Sequence, residues 1–207
     1  MSTYLGLDVL DLTRHNRQGT LAETLRRKFR LLDPSTGKRV SDSQGKAPAP
    51  ARPFLWTCLS RPEITAMLAF LDARKGRCVP FWLPSYQQDL TLAADAASGA
   101  ISLTVRWINY TVQMFPQGGG RRHLALYDPI SSPVYRKVTA ATDPGGRVTE
   151  SLGLDATLPR AFPAATTVVS FLKLCRLEED RNRTNWLSRN VAEAEIMVRE
   201  LPQEAPV

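Results

Sequence analysis

One segment of the chain, Leu59 to Gly76, carries a start, a stripe and a stop that together specify an amphipathic helix, and such a helix dictates what must surround it. Ser60 and Glu63 form an S-x-x-E capping box, in which the Ser60 hydroxyl accepts from the Glu63 amide while the Glu63 carboxylate reaches back to the Ser60 amide. Leu59 and Ile64 stand at the staple positions around that cap. Ile64, Met67, Leu68 and Leu71 recur at i, i+3, i+4 and i+7; Arg74 and Lys75 suit the negative end of the helix dipole, and Gly76 offers a left-handed stop. The pattern predicts a helix over about 61–75, roughly four turns long. Its apolar stripe must lie on a sheet or on another helix.

The neighbours on both sides favour a sheet. The runs PFLWTCL (53–59) and CVPFWLP (78–84) are β-preferring, too short for helices and bounded by prolines. Pro80 and Pro84 cannot donate to a ladder, so the second run reads as an edge or a strand end. Phe54, Trp56, Phe81 and Trp82 are expected in the core, and 89–93 reads as another short strand.

Beyond Ala94 the chain changes to short strands and frequent turns. Ile101, Leu103, Val105 and Trp107 alternate with Ser102, Thr104 and Arg106, and Tyr110, Val112 and Met114 continue the alternation. Turn signals stand at Gly118-Gly119-Gly120, Asp128-Pro129, Ser132-Pro133 and Asp143-Pro144-Gly145-Gly146, separated by HLALY, VYRKVTAA and RVTESL. This argues for a small β-barrel or sandwich. TTVVSFLKLC (166–175) reads as a strand buried on both faces. A polar turn, LEEDRNRTNWLSRN, follows; then Ala192, Ala194, Ile196 and Val198 alternate with Glu193, Glu195 and Arg199 as a final strand. Toward the N-terminus, Thr20 to Leu32 has helical spacing at Leu21, Leu25, Phe29 and Leu32, and its second half would equally serve as a strand. Asp33 to Pro53 is rich in Pro, Gly, Ser and charge with no apolar period, and reads as an exposed loop or arm.

Composition bounds the function. At 207 residues, 43% hydrophobic and 23% charged, the chain has room for one large domain or a domain with an insertion. Its 27 Lys+Arg against 20 Asp+Glu give +7, which permits an anionic partner without requiring one. No stretch reaches the roughly 20 apolar residues of a bilayer crossing, and MSTYLGLDVLDLTRH lacks the features of a signal peptide, so a soluble protein made in the cytoplasm, with no membrane partner, is expected. Cys58, Cys78 and Cys175 are odd in number and widely spaced, which suits neither a disulfide framework nor a paired metal site; buried reduced thiols are expected, a metal or cluster held by the three being the remote alternative.

Recognised catalytic patterns are missing: no G-x-S-x-G elbow, Walker loop, H-E-x-x-H or dinucleotide fingerprint occurs. His15 and His123 have no ligand-type neighbour at i+3 or i+4 and are expected on the surface. Gly118-Gly119-Gly120 with Arg121-Arg122 could cradle a phosphate, but with no helix N-terminus following it reads as a hairpin tip. Glu178, Glu179 and Asp180 beside Arg176, Arg181 and Arg183 read as a solvated face, or as ion pairs that would set orientation at a subunit boundary. We therefore assign no catalytic residue, metal ligand or cofactor and expect a non-enzyme. The rivals are a cell-wall hydrolase with acids drawn from Asp72, Asp89, Asp128 or Asp155, and a nucleic-acid-binding module using Arg26, Arg27, Lys28 and Arg30.

The order of elements resembles the small tail proteins of long-tailed, siphovirus-type bacteriophages, those of the distal-tail or minor-tail (baseplate) group. The likeness lies in PFLWTCLSRPE, the helix ITAMLAFLDARKGR, the "FW-x-P" strand in CVPFWLPSYQQDLTL, the stretches AADAASGAISLTV and GGGRRHLALYDPISSPVYRKVTAAT, and the closing AEAEIMVREL, together spanning about Arg52 to Leu201. The Asp33 to Pro53 segment is longer and richer in proline than in that group. The resemblance implies a mainly β (α+β) fold: a split β-barrel or β-sandwich with one packed helix (1–94 plus 170–207) and an inserted small β-barrel domain (95–169). It implies a homo-oligomeric ring, commonly a hexamer, that joins the tail tube protein to the baseplate hub or other minor tail proteins in the virion, with DNA only passing through the lumen. Extended segments that reach a neighbour supply the contacts such a ring needs, and residues 1–19 and Asp33 to Pro53 are the nominees. A lumen that passes DNA should avoid strong positive charge, which puts the excess cations on outer or inter-subunit faces.

Overall fold

The computed structural model describes residues 2–11, 24–26, 29–32, 40–43, 49–128 and 131–201. The protein is mainly β, with a large antiparallel sheet. In chain order the elements are β1 (Thr3–Tyr4), β2 (Leu7–Asp8), β3 (Thr24–Arg26), β4 (Phe29–Leu32), β5 (Val40–Ser43), β6 (Ala49–Cys58), α1 (Arg61–Ala73), β7 (Phe81–Pro84), β8 (Ser102–Arg106) and α2 (Tyr110–Gln113), two 3-10 turns (Phe115–Gln117 and Gly119–Arg121), then β9 (His123–Asp128), β10 (Ser131–Thr142), β11 (Thr149–Leu154), β12 (Val168–Leu177), β13 (Arg183–Trp186) and β14 (Ala192–Glu200). The described residues fall into two compact units, those of 2–11 with those of 82–173, and those between 24 and 81 with 174–201. The units thus change over at Asp11, Phe81 and Lys173, where the sequence suggested an insert spanning 95–169.

In the first unit the strands run β12–β9–β10–β11–β8. Alternation does the work expected of it: Leu103 and Val105 of β8 and Glu150, Leu152 and Leu154 of β11 point inward, while their neighbours are half-buried or exposed. The inward side chains join Leu124, Leu126, Val134, Val138, Phe162, Val169 and Phe171 in one apolar core. The stretch expected as a strand at 89–93 makes only single bridges, Leu90 to Val169 and Leu92 to Val105. No continuous ladder closes a barrel among the described residues.

Three local expectations fail in this unit. Tyr110 to Gln113 is a helical turn instead of a strand, entered through Asn109 in the left-handed region (φ 62°). Gly118–Gly120 is not a hairpin tip; Gly118 joins the two 3-10 turns at φ 64°, and a Cβ on Gly120 would stand 3.3 Å from the Lys173 backbone. Ser132-Pro133 lies inside β10, at a register shift between Ser131 and Val134, while 143–146 forms a turn in which Gly145 N donates to Asp143 Oδ1 at 2.8 Å.

In the second unit β6 and β14 pair over Ala51–Cys58 and Ala192–Arg199, with β3 beyond β6 and β13 beyond β14. Trp56, Cys58, Ala192, Ala194, Ile196 and Val198 are buried, as the alternation of the last strand requires. Helix α1 lies against β6 and buries Ile64, Met67, Phe70 and Leu71. Leu68, expected in the stripe, is 42% exposed, and Phe70 takes the place, edge-on to Phe81 at 5.1 Å. The cap forms with one change of partner: Glu63 N donates to Ser60 Oγ at 3.4 Å, but the Glu63 carboxylate accepts from Leu59 N at 2.8 Å. At the other end Arg74 is buried, donating to Pro80 O at 3.2 Å and standing over the Phe70 ring.

The region read as helix or strand at 20–32 holds two strands, β3 and β4, and the supposed loop at 33–53 contains β5, paired with β4, and the start of β6. β-pairing prevails because strand hydrogen bonds need no apolar period. The polar turn after 175 likewise hides β13.

Candidate functional site

The densest polar cluster of the first unit gathers around its N-terminal segment. β1 and β2 form a tight hairpin through Leu5 and Gly6, both at positive φ (47° and 75°), where glycine relieves one of the two strained positions. Val9 and Leu10 then bury completely, Leu10 N donating to Trp82 O at 2.9 Å. Residues 2–11 are therefore built into a core, which removes them from the extended arm nominated over 1–19; His15 and the rest of that stretch lie outside the described residues.

Side chains lock the segment down. Trp82 Nε1 donates to Tyr4 O at 2.9 Å, and the Tyr4 hydroxyl meets His123 Nδ1 at 3.0 Å. Asp11 Oδ2 accepts from Ser2 N at 3.3 Å, from the Ser2 hydroxyl at 2.5 Å and from the Tyr135 hydroxyl at 3.4 Å, while Tyr86 OH donates to Leu10 O. His123 is thus buried, contrary to the expectation of a surface residue. Burial, aided by Lys137 and Arg122 and opposed by Asp155, lowers its pKa to about 4, and burial raises the Tyr4 and Tyr135 hydroxyls well above their ordinary range. A neutral imidazole and protonated phenols in an aromatic shell hold a chain segment in place. The shell is dense, with the Trp82 and His123 rings 4.6 Å apart.

The carboxylates considered for acid–base work are drawn into structure. Asp89 accepts from Ser85 Oγ and from Phe171 N at 2.7 Å; Asp155 accepts from Lys137 N at 2.9 Å; Asp128 stands 3.9 Å from Arg160 Nε; Asp72 is exposed on α1 in the other unit. Asp89, Asp128 and Asp155 are thus each committed to a structural partner within the first unit. Glu150, which the sequence did not single out, is the most constrained acid. It is 1% exposed and accepts from Ile108 N, Tyr110 N and Thr111 N at 3.1, 3.0 and 2.7 Å. Burial raises its pKa, but those amides outweigh the burial and the net displacement is downward.

The cysteines divide. Cys58 and Cys175 are buried thiols, as expected, whereas Cys78 is exposed, and none of the three forms a disulfide. Among the described residues no group of three or more His, Cys, Asp or Glu is placed to hold a metal ion. No helix among them is long and apolar enough to cross a membrane.

The mixed-charge segment at 176–183 is more organised than a solvated face. Glu178 pairs with Arg199, and Asp180 holds Arg77, accepting from its amide at 3.1 Å and its Nε at 3.2 Å, with the second carboxylate oxygen 3.1 Å from Nη2. Asp180 also fills the space that a side chain at Gly76 would need, so the helix stop and this loop are interlocked. Beside the loop opens a cleft of about 690 Å³, lined by Glu179, Asp180, Arg181, Arg183, Glu195 and Met197 among others. Trp186 and Leu187, at the end of β13, are 51% and 60% exposed, and Arg61 stacks over the Trp186 ring. Of the basic run Arg26–Arg30, Arg26 ends β3 and Arg30 lies in β4, while Arg27 and Lys28 fall outside the described residues. No protein-family model and no curated protein matches this chain.

Proposed function

We propose that the protein is a non-enzymatic structural subunit of a bacteriophage tail tip, a distal tail or minor tail protein that assembles with copies of itself into a ring between the tail tube and the baseplate hub. The observation that carries this reading is the pairing of β6 with β14 over eight consecutive positions. It brings Ala51–Cys58 and Ala192–Arg199 into one sheet, with α1 against β6, while residues 82–173 form a second β unit between them in sequence. That is the arrangement expected of a split barrel with an inserted β-domain. We read the bridges at Leu90 and Leu92 as the place where the inserted sheet comes nearest to closing.

The chemistry agrees with a scaffolding role. Asp11, Asp89, Asp155, Asp180 and Glu150 all accept backbone amides, which spends acid groups on holding strands, turns and loops. A subunit that must keep one shape under load needs such ties, and an acid–base catalyst needs its carboxylates free to exchange protons.

Size-exclusion chromatography with light scattering, followed by negative-stain microscopy, tests the proposal. The expected mass is a multiple of 23.0 kDa with ring-shaped particles. A monomer at every concentration would overturn the ring, and turnover of peptidoglycan by the isolated chain would overturn the non-enzymatic assignment.

A further inference from the structure

Residues 2–11 join the rest of the first unit chiefly through side chains. One parallel bridge, Val9 with Trp82, supplies a main-chain link, in which Leu10 N donates to Trp82 O at 2.9 Å. Side chains supply the further ties: Trp82 Nε1 to Tyr4 O, the Tyr86 hydroxyl to Leu10 O, the Tyr135 hydroxyl to Asp11, and the Tyr4 hydroxyl with His123 Nδ1. Each strand of the β1–β2 hairpin is two residues long, too short to hold a fold by itself. The segment therefore keeps its place only while its side chains are gripped, and it is suited to open as one piece.

One of those grips is titratable. His123 is 6% exposed, with the Tyr4 hydroxyl at 3.0 Å, the Tyr4 ring edge-on at 5.7 Å and the Trp82 ring at 4.6 Å. Lys137 stands opposite it across β9 and β10, and Arg122 precedes it in the chain. Asp155, which already accepts Lys137 N, is the acid that opposes those two cations; Arg136 bears on the neighbouring Tyr4. Asp11 and Tyr86 act at the other end of the segment, beside Tyr135. A proton added to the covered ring is thus a positive charge in an aromatic shell, with two cations set against one carboxylate. Tyr4 is the residue of the segment that touches the ring, so its departure lets water reach the imidazole. The open state then takes up the proton that the closed state resists, and acid draws the equilibrium toward it.

We propose that residues 2–11 form an acid-released clasp: protonation of His123 drives Tyr4 out of its seat, and the segment opens as a unit while the sheet beneath stays folded. The clasp is independent of the ring proposed above. Amide hydrogen exchange of the full chain, corrected for intrinsic rates, tests it at about pH 7.5 and about pH 4.5 in a series of low urea concentrations. With the ring protonating near 6.5 when uncovered and about 4 when covered, exchange through opening at the Val9 and Leu10 amides should rise about tenfold or more in acid. That opening should respond little to urea, whereas amides of β9 and β12 should exchange more slowly and with a steep urea dependence. His123→Phe should abolish the acid increase. Lys137→Glu, a change at an exposed position that leaves the imidazole in place, should at least halve it by making the covered ring easier to protonate. Val9 and Leu10 amides that exchange only together with β9 and β12, an opening equal at both pH values, or an undiminished acid increase in either folded variant would overturn the clasp.

Discussion

Glu150, on β11, caps the helical turn that begins at Tyr110: its carboxylate accepts the Tyr110 amide at 3.0 Å from 40 residues away and the Ile108 and Thr111 amides beside it. A short helix with no side-chain cap of its own thereby gains one from a neighbouring strand. Because those bonds favour the carboxylate, the folded-state pKa lies below the unfolded value. The resulting stability is present above the ordinary carboxylate range and is lost as pH falls through the folded pKa. Glu150→Gln should destabilise the protein by about 1–3 kcal/mol at neutral pH. It should also reduce the acid dependence of the urea midpoint below about pH 4.5.

His123 gives a second pH signature at a different place. With its folded pKa lowered from 6.5 to about 4, the unfolded chain binds the extra proton first. Stability should therefore be constant above about pH 6.5 and decline between there and about pH 4, by up to roughly 3 kcal/mol from this group. Urea titrations across that window on the unmodified protein and on His123→Phe should show the slope in the first and its loss in the second. An equal slope in both would contradict the assignment.

Helix α1 distinguishes a buried stripe from a merely periodic one. Met67 is 1% exposed and Leu68 is 42% exposed. Met67→Ala should cost about 2–5 kcal/mol by cavity formation, Leu68→Ala well under 1.5, and Ser60→Ala about 1 through loss of the cap. Chemical denaturation of the three variants measures all of these.

Thiol accessibility checks the two buried cysteines. Cys78 should react with a maleimide or disulfide reagent within seconds to minutes in the native protein, while Cys58 and Cys175 should react only after denaturant opens the sheet. Burial, reinforced by the Glu63 charge, also raises the Cys58 thiol pKa, which slows it further. Mass spectrometry of the labelled protein with and without urea would separate one modification from three.

Much of the fold was legible because its elements obey local rules. The S-x-x-E cap, the apolar spacing of Ile64, Met67 and Leu71, the alternation in 102–106 and 192–199, and the Asp143–Gly146 turn each follow from chemistry between residues close in the chain. Where alternation and turn chemistry competed, as at Tyr110 to Met114, period alone pointed the wrong way, since the deciding amide acceptor, Glu150, came from another strand. β13 stayed hidden in Arg183–Trp186 because a short edge strand facing solvent needs no apolar pattern.

By itself, then, the amino-acid order determined the helix, most strands of the first unit, β6 and β14 of the second, and the absence of a recognised catalytic motif, since these depend on spacing within a few residues. Only the tertiary structure decided the burial of His123 against Tyr4, the use of nearly every nominated acid as a tie for strands, turns or cations, the division at Phe81 and Lys173, and the pairing of β13 with β14. Those outcomes depend on which distant segments share a core or a ladder, and free energies of burial and pairing between residues a hundred positions apart leave no periodic trace along the chain.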